Sequence, residues 1–126
     1  MLFRSLSADR LDQDLHQRSG LFGLSDGFSA NMKDLRQAAA AGHGPAARAI
    51  AVFRHALLQG IGAMAASLRG VDVIALTGGI GEHDSALGEE LRAELAWLEP
   101  FAWMVVPADE EGLIARQCRM AAAAAP

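Results

Sequence analysis

The sequence predicts an α/β fold in which helices pack on a small sheet. From Ile50 to Leu68, apolar residues recur at spacings of three or four, the period of a helix. Val71 to Leu76 is a short continuous apolar run that reads as a buried strand, and an amphipathic helical pattern resumes soon after it. That α-then-β order is the pattern of a sheet covered by helices. At 126 residues, with 52% of them apolar, the chain has the size of one ordinary domain and ample material for a core.

Taken in order, Ser7 to Arg18 reads as a short helix, with Ser7 as N-cap and Leu11 and Leu15 four apart among polar neighbours. Ser19 to Ala30 mixes Gly20, Gly23 and Gly27 with serines and Asp26, the composition of a surface loop. Asn31 or Ser29 caps a helix from Met32 to Ala41 that stops at Gly42, and His43 falls in a solvated turn. Pro45 suits the first turn of the next helix, where its missing N–H has no intrahelical partner. Ile50, Phe53, Leu57, Ile61, Met64 and Leu68 form one face of that helix. Gly60 and Gly62 each cost about 1 kcal/mol relative to Ala in a helix interior, so close approach of another element is expected there.

After the strand, Leu87, Leu91, Leu95 and Leu98 line a helix that begins near Asp84 or Ser85 and ends before Pro100. Glu89, Glu90 and Glu94 form its solvated face. Trp103 to Val106 reads as a second strand ended by Pro107, and Asp109 caps a last helix with Glu110 and Glu111 in its first turn. Acidic residues there complement the helix dipole. Ala121 to Pro126 is a low-complexity tail expected to fray.

Between the first strand and the following helix lies Thr77-Gly78-Gly79-Ile80-Gly81-Glu82-His83. Glycine has no Cβ, so such a turn lets a ligand reach the backbone, and the helix behind it offers N–H groups and a positive dipole end to an anion such as phosphate. A Gly-Gly turn also occurs for packing alone, and both readings stand on the local pattern.

The formal net charge of −4 and the pI near 5.5 argue against unaided binding to nucleic acid or to an anionic membrane surface. Backbone amides and a metal ion can still hold a nucleotide's phosphates. One cysteine, Cys118, leaves no internal disulfide, which fits a reducing compartment. Apolar runs short of the roughly 20 residues that span a bilayer, and an N-terminus without a signal-peptide pattern, lead to the expectation of a cytoplasmic chain with no membrane segment.

Three ordered segments resemble the C-terminal part of acetate kinase: Ser19-Gly-Leu-Phe-Gly-Leu-Ser25 followed by Ser29-Ala-Asn-Met-Lys-Asp-Leu35, then Thr77-Gly-Gly-Ile-Gly-Glu82, then Val106-Pro-Ala-Asp-Glu-Glu-Gly-Leu-Ile-Ala-Arg116. The likeness runs from about Leu11 to Arg119. It implies part of a ribonuclease-H-like domain of the superfamily that includes actin and the sugar kinases. It further implies reversible phosphoryl transfer from ATP to acetate, giving acetyl phosphate and ADP with Mg²⁺. Carried over, Asn31, Met32 and Lys33 match the tripeptide that contacts adenosine, Gly79, Ile80, Gly81, Glu82 and His83 match the segment that holds the nucleotide, and Glu110 matches the carboxylate associated with magnesium. On this reading residues 1–18 are a helical segment, 19–119 the nucleotide-binding portion and 120–126 the tail. A propionate or butyrate kinase portion is the near alternative, because the carboxylate pocket is not encoded in this sequence.

The departures are specific. Asn31 stands where the family has an acid, Lys33 where it has arginine and His83 where it has asparagine. Lysine lacks the planar, bidentate fork of arginine. One extra residue falls near Asp26, and the stretch from Leu98 to Pro107 is short. The acetate pocket, the catalytic arginines and histidine, and the phosphate loops of the resembled family lie upstream of the matched region. The expectation is a nucleotide-side portion, from a truncated or split gene, inactive without a complementary N-terminal polypeptide. The opposing expectation is a vestigial module without catalysis. Either way, a sheet lacking neighbouring strands exposes apolar edges, and a homodimer or larger oligomer is expected.

Overall fold

The computed structural model describes residues 7–123, and its element order follows the expected α/β class: seven α-helices and a two-stranded sheet among the described residues. Helix α1 (Ala8–Gln17) is capped by Ser7, whose Oγ accepts the Arg10 N–H, and it buries no residue. The expected loop after it is instead partly a short helix, α2 (Gly20–Leu24). Its stability comes from tertiary contact: Leu21 and Leu24 pack on a buried cluster, and Arg48 Nη2 donates to the Leu24 carbonyl at 3.1 Å and to Asp26 Oδ1 at 2.7 Å. Local composition outweighs neither contact. Asp26, near the extra residue, adopts the left-handed region at φ 57°.

Helix α3 (Met32–Ala40) starts at Asn31, whose Oδ1 accepts the Lys33 N–H at 2.9 Å. Helix α4 (Gly44–Leu68) carries Pro45 in its first turn. Its N-cap is His43, which is half-buried rather than solvated: Nδ1 accepts the Ala46 N–H at 3.1 Å and the ring lies 4.7 Å from that of Phe28. Along the expected apolar face, Ile50 is buried and Phe53, Leu57 and Ile61 are half-buried, but Met64 and Leu68 are 60% and 72% exposed. The helix outruns the elements it packs on. A Cβ at Gly60 or Gly62 would meet nothing within 4 Å, so the close approach expected there is absent from the described residues. By length and composition α4 could cross a bilayer, contrary to the reading from apolar runs. Its first half is nevertheless the core helix of this fold, with Ala46, Ala49 and Ile50 buried against α2 and α3.

Strand β1 (Val73–Leu76) begins two residues later than expected and buries only Ile74. It pairs in parallel with β2 (Ala102–Val105), in the register Val73↔Ala102 to Leu76↔Val105. A parallel pair needs a crossover. Here the crossover holds α5 (Gly78–His83), α6 (Ser85–Glu94) and a 3₁₀ turn (Ala96–Leu98). The glycines expected in a turn are thus inside α5. Asp84 caps α6 as expected, accepting the Leu87 N–H at 3.1 Å. Helix α7 (Glu110–Ala123) follows Asp109, whose Oδ1 accepts the Gly112 N–H. It extends into the stretch expected to fray; the last three residues of that tail lie outside those described.

Two buried clusters result. The first joins Met32, Leu35, Ala46, Ala49 and Ile50; the second joins Ile74, Leu87, Leu91 and Leu95. Phe53 and Ile80 pack against both.

Candidate functional site

A cavity of about 670 Å³ opens between the start of α3 and the α5–α6 corner. Its walls are Ala30, Asn31, Met32, Lys33 and Arg36 on one side and Gly79, Ile80, His83, Asp84, Ser85 and Ala86 on the other. Six of the residues named from the sequence therefore meet in one place, although they come from segments more than forty positions apart.

Each wall is set by local chemistry. The approach to α3 is fixed by Ser25, a fully buried hydroxyl that lies 3.0 Å from the Phe22 carbonyl and 3.1 Å from the Ser29 carbonyl and accepts the Ser29 N–H. Ser29 Oγ in turn accepts the Asn31 N–H and donates to Asp34 Oδ2, each at 3.0 Å. Asn31 is thus delivered as a helix cap. Asn and Asp cap equally well, so the departure from the family's acid leaves this wall's backbone intact.

On the other wall the three glycines have separate roles. Gly78 sits at φ 75°, which a side chain disfavours. Gly81 lies with its Cβ position 3.3 Å from the Leu76 Cβ, so its smallness serves packing on the strand end. A Cβ at Gly79 would meet nothing within 4 Å, so its bare backbone faces open space at the cavity wall. His83 Nδ1 donates to the Gly79 carbonyl at 2.9 Å, which leaves Nε2 as the unbonded ring nitrogen.

Gly81, Glu82 and Glu110 are not among the lining residues. Glu82 Oε1 accepts the N–H of Gly78 at 2.8 Å and that of Ala108 at 2.9 Å. One N–H at the start of α5, that of Gly78, is therefore occupied by the chain's own carboxylate, and Asp84 does the same for the Leu87 N–H of α6. Of the two carboxylates, Asp84 was legible as a helix start, whereas Glu82 read as part of the nucleotide-holding segment, because its partner Ala108 lies 26 positions away. Glu110 is exposed at the start of α7. Among the described residues, no three His, Cys, Asp or Glu side chains gather as a metal site, around Glu110 or elsewhere. A lone carboxylate is no all-protein cage, but it suits an ion such as magnesium that keeps several waters and usually takes one or two carboxylates together with substrate phosphates.

The sequence reading missed Arg36, one turn beyond Lys33. Its Nε donates to Asp84 Oδ2 at 3.1 Å, and Nη1 and Nη2 donate to Glu90 Oε1 and Oε2 at 2.7 and 3.1 Å. Arg54 adds a 3.2 Å contact to Glu90 and a 2.9 Å contact to Glu94. Glu90 and Glu94 are thus ion-paired rather than merely solvated. The Arg36 hydrogen bonds, opposed by partial burial and aided by Arg54, hold the Glu90 carboxyl below its ordinary range. Glu90 chiefly, with Asp84, raises the Arg36 guanidinium further. The signal available in the sequence was position: Arg36 falls four residues after Met32, on the same helix side.

The fold is that of part of the acetate and propionate kinases. Superposition on an acetate kinase from Porphyromonas gingivalis gives a TM-score of 0.81 at 25% identity, covering 91% of this chain and 34% of that one. A propionate kinase from Francisella tularensis gives 0.74 at 26%, covering 84% and 32%. The family model of the acetokinase family matches residues 3–101, and the chain belongs to that family. It is 34% identical to an acetate kinase of Clavibacter michiganensis over 94% of its own length, and 42% identical to one of Nostoc punctiforme over 64%. These alignments cover 35% and 20% of those proteins, so the chain spans about a third or less of the curated relatives' length. Glu110 falls beyond the residues matched by the family model.

Proposed function

We propose that this chain is the nucleotide-side portion of an acetate kinase and that the cleft receives the adenosine end of ATP or ADP. The observation that carries this is the meeting of Asn31, Met32 and Lys33 with Gly79, Ile80 and His83 around one cavity. Its volume suits a ligand of nucleoside size. Met32 and Ile80 offer apolar surface to a flat base, and Gly79 allows close approach to the backbone. Lys33 supplies a cation at the wall, whereas the charge of Arg36 is already matched by Asp84 and Glu90. Magnesium, in this reading, arrives with the nucleotide and keeps its waters, with Glu110 as an outer carboxylate at most.

Phosphoryl transfer to acetate then requires the remaining two-thirds of the family's length, as a complementary N-terminal polypeptide in a cytoplasmic setting. The similarity to a propionate kinase keeps a longer carboxylate open as the acceptor. Calorimetric titration with adenosine and with MgATP tests the binding reading, since a ligand at 100 times its Kd stabilises the fold by about 2.7 kcal/mol. Heat of binding and a raised melting temperature are expected. No heat and no shift at millimolar nucleotide would leave a vestigial module. Labelled acetate should be phosphorylated only after an N-terminal half is added; turnover by the chain alone would refute the division of labour.

A further inference from the structure

We infer that Arg36 is a positioning residue that sets the separation of the two cleft walls, an inference that rests on the nucleotide reading above. Helix α3 carries one wall and the α5–α6 corner the other, and Arg36 is bonded to both ends of the opposite side: Asp84 at the corner itself and Glu90 further along α6. The pairing to Glu90 is bidentate, so it fixes direction as well as distance. Asp84 is meanwhile committed through its other oxygen to the α6 cap, and Glu90 is backed by Arg54 from α4. The Arg36 side chain is only 24% exposed and its charge is already matched by two carboxylates, so it is poorly placed to act as a phosphate ligand. Its geometry is that of a brace. Ile80, which packs against both buried clusters, is the apolar counterpart across the same gap.

Arg36→Lys tests this in the intact chain, because lysine keeps the charge but cannot hold Asp84 and Glu90 in one planar fork. The first readout needs no ligand: amide hydrogen exchange of unliganded wild type and variant. Exchange should rise at Asn31–Lys33 and Gly79–His83 while the amides of Ala46–Ile50 and Leu87–Leu91 keep their protection. The second readout is adenosine affinity, expected to weaken roughly tenfold, the scale of one lost charge-assisted contact. Glu90→Gln, which preserves size, should reproduce both effects and serves if Arg36→Lys does not fold. Glu94→Gln, at the far end of the same network, should change neither. Unchanged exchange at the two walls in Arg36→Lys and Glu90→Gln overturns the brace. If wild type binds no adenosine, the nucleotide reading falls, and the exchange data still decide the brace.

Discussion

The two buried clusters solve the same problem with different means. The first is assembled from α2, α3 and the first half of α4, neighbours in sequence, and its small residues Ala46 and Ala49 let the helices close until Leu35 is fully buried. The second is assembled across the crossover, and its sheet has two strands, only one of whose residues is buried. Val73, Met104 and Val105 remain about half exposed. A two-stranded sheet is marginal by itself. The difference teaches that the helical wall of the cleft is complete within the chain, while the sheet behind the other wall leaves surface for a further element, in line with a chain that spans about a third of its relatives.

Truncating the closed cluster should do most damage. Leu35→Ala is expected to cost about 2–5 kcal/mol, read as a lowered urea midpoint at constant slope. A loss under 1 kcal/mol would mean the helical half is not closed in solution. Overfilling the same half with Ala49→Leu is expected to cost about 1–3 kcal/mol by the same measurement. On the open side the sign reverses: Gly60→Ala should stabilise by roughly 1 kcal/mol, since the added methyl meets nothing. Destabilisation by that substitution, together with a mass above the monomer in light scattering, would place a second chain against the end of α4. Smallest of all, Val105→Thr, at a half-exposed position, should change stability by less than about 0.5 kcal/mol by the same urea midpoint.

The ion-paired seam between the halves adds a pH dependence. Glu90 titrates below its ordinary value in the folded chain, with Arg36 as the main cause. Its contribution is therefore present in full above the ordinary carboxylate range and fades as the pH falls through the lower folded value. Urea midpoints of wild type and Glu90→Gln should differ at pH 7 and converge in acid; a constant difference down to pH 3 would sink the assignment.

Legibility followed the range of each signal. The caps at Ser7, Asn31 and Asp84, the Pro45 start and the two strands depend on residues within a turn of one another, and all were readable. Six of the eleven cleft-lining residues were named through the first two of the three ordered motifs rather than through local pattern, and none through the third. What could not be read were contacts set by distant chain: α2 held by Arg48, Glu90 held by Arg36, and Gly81 pressed on Leu76. Each looked like loop, solvated face or ligand turn because the deciding partner lay over twenty positions away or across an element boundary.

Glu82 acts as a clasp. Its Oε1 takes the N–H of Gly78, just past the end of β1, and the N–H of Ala108, just past the end of β2, at 2.8 and 2.9 Å. One carboxylate oxygen thus ties together the exits of both strands, so the two-stranded sheet keeps the spacing of its C-terminal ends without help from a third strand.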